Sequence, residues 1–245
     1  MAYRRKKKNN LPKILTSVIV IILALLSAYF VVPEVLPDNN NVPSYVDVAS
    51  IPEYSDSPFV AINGNVPYFE EADYTTLSYE KYSELDDLGR CGVVMACCGK
   101  DIMPKDGEDR GSISNVTPSG WDQEKYDTDL VSGGYLYNRS HLIGWQLTAE
   151  NDNEKNLITG TRYFNVDGML PFENMVADYI RETGNHVLYR VTPIYEGDNL
   201  VASGVIMEAY SVEDEGDGIC FNVYCYNVQP GIVIDYATGA SALAD

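Results

Sequence analysis

Only two histidines occur in the 245 residues, and one of them, His141, follows an arginine in the stretch Tyr137-Asn138-Arg139-Ser140-His141-Leu142-Ile143-Gly144. Downstream stand Asn156 in KNLITGTR, Asn165 in RYFN and Glu173 in PFEN, a spacing of His-x14-Asn-x8-Asn-x7-Glu. An imidazole of ordinary basicity accepts a proton near neutral pH. An amide oxygen can hold a hard cation such as Mg²⁺, because such an ion keeps several of its own waters. A carboxylate beyond it can orient those waters. The set suits phosphodiester hydrolysis, which needs a deprotonated water, a neutralised transition state and a supported leaving oxygen. Arginine commonly meets the transition-state charge. Arg139 is one candidate; Arg110 in EDRGS and Arg162 in TGTRYF rank above Arg90 in LGRCG as substrate-binding groups. Spacing alone is weak, since His, Asn, Asn and Glu fall at such intervals by chance in many chains.

The elements that must position these residues read as an α+β domain. Short strands are expected at 59–62, 92–98, 134–143, 186–195, 200–207, 219–228 and 231–236. The connections after residue 186 are too short for crossover helices, so the last strands form an antiparallel meander. The clearest helix is Pro171 to Thr183: Phe172, Met175, Val176, Tyr179 and Ile180 make one apolar stripe, Pro171 suits the first turn and Gly184 the C-terminal cap. Tyr79 to Leu88 reads as a second helix, ended by Gly89, and Asn156 to Asn165 as a short apolar segment with helical spacing. Residues 101–120 read as loop. His186, Trp121 and Trp145 read as structural.

The first forty residues belong elsewhere. Residues 1–13 carry six basic side chains and no acid, and residues 14–33 carry no charge. Twenty such residues match the bilayer core at a helical rise of about 1.5 Å each. This reads as an uncleaved transmembrane signal-anchor in preference to a cleaved signal peptide, with the basic tail cytoplasmic and the remainder outside. Residues 34–58 read as an extracellular tether, 59–239 as the folded domain and 240–245 as a C-terminal tail. The chain has 17 basic and 36 acidic residues; without the six basic residues of 1–13, 11 remain against 36, a net −25. A domain so acidic repels polyanions at long range. A phosphate substrate therefore needs a local cluster of arginines or a cation. The five cysteines are odd in number and lack zinc spacing, so they read mainly as core residues, with one bridge involving Cys220 or Cys225 left open.

The stretch NRSHLIG…NDNEKNLITGTRYFNVDGMLPFE resembles the core of the DNA/RNA non-specific endonucleases, the ββα-metal nucleases. Within that family it is most similar to bacterial membrane-anchored DNA-entry nucleases and secreted streptococcal DNases. The likeness extends to PSGW at 118–121, VLYRVTPIY at 187–195 and FNVYCYNVQPGIVIDYATG at 221–239. The resemblance implies a ββα-metal core on a mainly antiparallel sheet. It implies His141 as general base, Asn165 as metal ligand, Asn156 as a supporting residue, Glu173 as the acid holding metal-bound water, and Arg139 as the motif's arginine. It implies Mg²⁺ as cofactor, with Mn²⁺ an alternative, and DNA as substrate, with RNA a second candidate. The family's Asp-Arg-Gly-His appears here as Asn138-Arg139-Ser140-His141, so one acid is lost near the cation site. The competing reading is a catalytically inactive surface binding module of the same fold. Oligomeric state is left open.

Overall fold

The computed structural model describes residues 48–244. The basic tail, the apolar segment 14–33 and residues 34–47 lie outside the described residues. Among the described residues no helix is long and apolar enough to cross a membrane.

The frame is a six-stranded antiparallel sheet. Its strands are β1 (Phe59–Ala61), β2 (Tyr79–Tyr82), β3 (Val94–Cys98), β6 (Val187–Ile194), β7 (Gly204–Ser211) and β8 (Cys220–Tyr226), in the order β1-β8-β7-β6-β3-β2. Strands β6, β7 and β8 form the expected meander, with Val191 opposite Met207 and Met207 opposite Val223. Strand β3 is buried at every position because both faces of the sheet are covered. Ala96, Cys98, Tyr189, Val191, Val205 and Met207 face the main core. Met95, Cys97 and Leu188 face the opposite side, under Phe69 and Tyr79. A buried cross-strand pair also lies in the sheet. Arg190 Nε donates to Glu208 Oε2 at 2.7 Å, and the Tyr68 backbone bonds to both side chains. Partners on every side make such a pair tolerable in a low dielectric.

Two strands stand apart from this sheet. β4 (Tyr137–His141) pairs antiparallel with β5 (Leu157–Thr161), His141 opposite Leu157. Helix α1 (Trp145–Thr148) follows β4, and α2 (Leu170–Thr183) follows β5. β4, β5 and α2 make the strand–strand–helix unit. Phe172, Val176, Ala177 and Ile180 of α2 enter the main core. The Gly184 N–H caps the helix on Ile180 O at φ 76°, a conformation that suits glycine. Met175, expected in the apolar stripe, is 49% exposed, whereas Tyr179 packs against the main core and turns its hydroxyl to Asp214.

Two expected helical segments are strands. Tyr79–Tyr82 pairs with β3, Tyr79 opposite Cys97, and the ladder outweighs the helix propensity of Glu80, Lys81 and Leu85. Residues 157–161 are β5, all buried. A Cβ on Gly160 would collide with Ser140 Oγ and the Phe164 ring, so the close β4–β5 approach requires glycine there. The boundaries also move. Tyr54 stacks edge-on against Tyr226, and the Tyr226 hydroxyl donates to Pro52 O at 2.7 Å, so the last residues of the expected tether pack on the sheet. Ser241–Leu243 is not a tail but strand β10, paired with β9 (Ile232–Ile234). The expected strand at 200–207 is shifted to Gly204–Ser211. All five cysteines are free, with Cys220 exposed and the others buried.

Candidate active site

The strand–strand–helix unit opens on a cleft of about 540 Å³, lined among others by Arg110, Arg139, His141, Arg162, Asn165 and Glu173. Strand β4 supplies His141 at its end. Helix α2 supplies Glu173 in its first turn. The link from β5 to α2 supplies Arg162 and Asn165.

That link carries a local irregularity. Residues 164–169 form a π-helical turn, in which the Leu170 N–H reaches back to Asn165 O. A π-bulge swings side chains out of the regular helical rows, and such turns are frequent at functional sites. The Asn165 amide makes no hydrogen bond to any described residue.

His141 is 6% exposed, and both its ring nitrogens are engaged. Nε2 lies 2.7 Å from Asn151 O, a carbonyl that can only accept. The proton therefore sits on Nε2, and Nδ1 carries the lone pair. Arg110 Nη2 lies 2.9 Å from Nδ1 and donates to it. Burial, and secondarily the Arg110 charge, pull the imidazole pKa down to about 4, against the Asn151 hydrogen bond, which raises it. The ring is thus neutral across the physiological range.

Glu173 is 9% exposed, and burial pushes its carboxyl up to about 7, although Arg110 and Gln146 favour the charged form. Gly144, at the entrance of α1, packs against this carboxyl. A Cβ built there would lie 2.7 Å from Glu173 Oε2. Gly144 has φ −60° and ψ 140°, which alanine adopts freely, so the obstacle is contact alone. Gly144→Ala is expected to leave stability within about 1 kcal/mol. It should lower kcat at least tenfold by moving the carboxyl, a loss read from steady-state kinetics beside a melting curve.

Arg139 lines the cleft but turns its guanidinium to the neighbouring loop, donating to Val116 O and Ser114 O and stacking 4.3 Å over the Trp121 ring. Arg162 Nε is buried with no hydrogen-bond partner. Arg90 is away from the cleft, paired with Asp86 at 2.7 Å. His186 pairs with Glu213 on the surface of the sheet, as expected of a structural histidine. The cleft therefore gathers Arg110, Arg139 and Arg162 around a single acid, in a chain of net charge −19.

Asn156 does not reach the cleft. It is fully buried; its Oδ1 accepts from the Ile143 N–H at 2.8 Å and its Nδ2 donates to Ile143 O at 3.0 Å. It is a positioning residue that fixes the turn between His141 and Gly144. Asn156→Ala would leave both Ile143 backbone groups buried without partners. A loss of about 2–4 kcal/mol is expected in denaturant unfolding. Activity should fall even below the transition, because the turn carrying His141 loosens.

Two features of the site had no mark in the sequence. Asn151 acts through its carbonyl, which any residue type could supply, while its Nδ2 donates to Ser112 O at 3.2 Å and ties down the loop bearing Arg110. Gly144 acts by lacking a Cβ. A glycine at a strand-to-helix turn was the only available signal.

Among the described residues no three His, Cys, Asp or Glu side chains converge as a metal cage. The profile of the DNA/RNA non-specific endonucleases matches residues 71–213. NucA from Streptococcus agalactiae, solved with a magnesium ion bound, superposes with a TM-score of 0.66 at 25% identity over 78% of this chain and 89% of its own. Sda1 nuclease, solved with a bound zinc ion, superposes with a TM-score of 0.64 at 26% identity over 77% of this chain and 97% of its own. With a profile match spanning more than half of its length, and with the cleft that the fold assembles, the chain belongs to the DNA/RNA non-specific endonuclease family and is a nuclease of the hydrolase class.

Proposed function

We propose that the chain is a metal-dependent, sugar-non-specific endonuclease that hydrolyses DNA, and RNA as a second substrate, outside the cell. The observation that carries this reading is the His141 tautomer: a neutral imidazole whose Nδ1 lone pair is held by Arg110 at a cleft lined by three arginines and the Asn165 amide.

The donor set fits a hard cation. One amide oxygen from Asn165, with no second ligand of a softer kind nearby, suits an ion that keeps most of its water. Glu173, across the cleft, would orient that water once ionised. A zinc-type cage of His and Cys does not fit. NucA was solved with magnesium and Sda1 with zinc, and the donor chemistry here favours Mg²⁺, with Mn²⁺ as the substitute. When bound, the cation supplies positive charge to the phosphate and to the departing oxygen.

The chain's own groups do the rest. Nδ1 of His141 takes a proton from the attacking water, while Asn151 O keeps the ring in place through Nε2. Arg110 occupies Nδ1 in the structure and must release it, and the substrate's phosphate is the stronger acceptor to draw it away. Arg110 and Arg162 then meet the oxygens on which charge develops. In-line attack expels the 3′ oxygen and leaves a 5′-phosphate.

The charge of residues 1–13 and the apolar run 14–33 support an anchored protein with its nuclease domain outside. The test is cleavage of plasmid DNA by the detergent-solubilised full chain. Cutting is expected with Mg²⁺, none in EDTA, and recovery when Mg²⁺ is restored, with 5′-phosphate ends that ligase accepts. A folded protein that binds DNA but never cuts it with Mg²⁺ or Mn²⁺ would instead be the inactive binding module.

A further inference from the structure

Beside the cleft lies a second groove of about 470 Å³, lined among others by Ile113, Trp121, Tyr135, Tyr137, Asn138 and Arg139. It is continuous with the cleft, because Ile113, Asn138 and Arg139 line both. Its walls are aromatic. Tyr135 is 50% exposed. Lys125 Nζ sits 4.5 Å from the Tyr135 ring centroid, and Arg139 Cζ sits 4.3 Å from that of Trp121.

The groove is built on the outer edge of β4, the edge not paired with β5. Gln123 clamps that edge: its Nε2 donates to Tyr137 O at 2.6 Å and its Oε1 accepts from the Tyr137 N–H at 2.9 Å. The Leu136 N–H donates to Glu124 O, and Lys125 bridges Tyr135. The same strand therefore fixes the aromatic wall and His141. None of the lining residues is acidic, although the chain has 36 acids. Aromatic faces, Arg139 in the lining, Lys125 against the Tyr135 ring and no carboxylate in the lining match a nucleotide, whose base offers a π-face and whose phosphate is negative.

We propose that this groove is a nucleobase subsite: an unpaired base flanking the scissile phosphate stacks on Tyr135 beside Trp121, and Lys125 and Arg139 attract its phosphate. The inference rests on the nuclease reading of the adjoining cleft. A stacking contact of this kind tolerates any base, in keeping with cleavage without sequence preference. A base inside a duplex is not free to stack there, so the groove favours single strands and frayed ends over intact duplex.

The test uses the detergent-solubilised full chain and a single strand carrying one phosphodiester among phosphorothioate linkages. An abasic residue is placed in turn at each of the two positions on either side of the cleavable bond. In the wild type, the abasic residue should lower kcat/KM about tenfold at one of these positions. In Tyr135→Ala, whose side chain is half exposed and outside the core, the intact strand should already be slow and the abasic residue should cost nothing more. An equal penalty in both proteins, or no penalty at any position, overturns the subsite. If the intact strand is not cut at all with Mg²⁺, the nuclease reading fails first. The groove is then judged by 2-aminopurine in a fully phosphorothioate strand. Fluorescence quenched by the wild type but not by Tyr135→Ala upholds base stacking, and no quenching overturns it.

Discussion

His141→Ala should lose between about a hundredfold and ten-thousandfold in kcat at neutral pH, the range associated with a lost general base. The fold should persist. The imidazole is buried, and the alanine variant removes its ties to Asn151 O and to Arg110, but Arg110 is exposed and its charge stays solvated. The stability cost at neutral pH should be about 1–3 kcal/mol. The pH profile separates a base from a merely structural histidine. Wild-type activity should fall on the acid side as His141 takes up a proton. The residual rate of the variant should instead climb steadily with hydroxide concentration. Glu173 adds its own limb near 7 in both proteins, so the discriminating limb is the lower one near 4, and a variant that keeps that limb would place the base elsewhere.

The same substitution has a stability signature in the metal-free protein. His141 is held neutral with a pKa near 4, while an unfolded histidine titrates near 6.5. Between these values the unfolded chain binds more protons, so the folded state loses stability as pH falls. At 1.36 kcal/mol per pH unit the loss reaches about 3 kcal/mol. His141→Ala should remove it and leave the opposing Glu173 slope exposed, so the variant should gain stability as pH falls over this window.

How much of the site the sequence discloses depends on whether a residue acts through its side-chain chemistry or through its place in the chain. His141, Asn165, Arg110, Arg162 and Glu173 have side chains whose types announce the chemistry, and the fold brings all five to one cleft. Asn156 announces a polar role too, but its amide serves the Ile143 backbone, which spacing could not reveal. Asn151 acts through a carbonyl, which leaves no trace in residue type, and Gly144 through a missing Cβ, which its residue type shows without showing which side chain it makes room for. The fold divides in the same way. α2 was legible because its stripe, first-turn proline and capping glycine all agree. β2 and β5 were not. Tyr79–Tyr82 and Leu157–Thr161 take their state from partners far along the chain, Val94–Cys98 and Tyr137–His141. Local propensity is silent about such ladders.

Glu173→Gln should make the metal-free protein more stable and the enzyme worse. Burial raises the Glu173 carboxyl from an ordinary 4.5 to about 7. Between those values the folded state holds the proton more tightly than the unfolded chain. The stability this contributes is complete below pH 4.5 and is lost as pH rises through 7, at a cost of about 3 kcal/mol. Glutamine has the same shape and no charge to desolvate. Glu173→Gln should therefore gain up to about 3 kcal/mol at pH 8, and nothing at pH 4, in denaturant unfolding with EDTA. His141 tilts stability the opposite way over an overlapping range, so the wild type should be nearly flat between pH 4.5 and 6.5. Removing either group should expose the slope of the other. Activity should move against stability. Without an acid to orient cation-bound water, kcat/KM should fall about 10–100-fold. The stabilisation by added Mg²⁺ at pH 8, which is RT ln(1 + [L]/Kd), should shrink in the variant. A Glu173→Gln protein no more stable at pH 8 than at pH 4, relative to wild type, would mean that the carboxyl is solvated in solution. Its role in the cleft would then have to be reassigned. On the proposed reading, a carboxyl that burial destabilises in the empty cleft should regain that cost when Mg²⁺ is added, and Glu173→Gln should not.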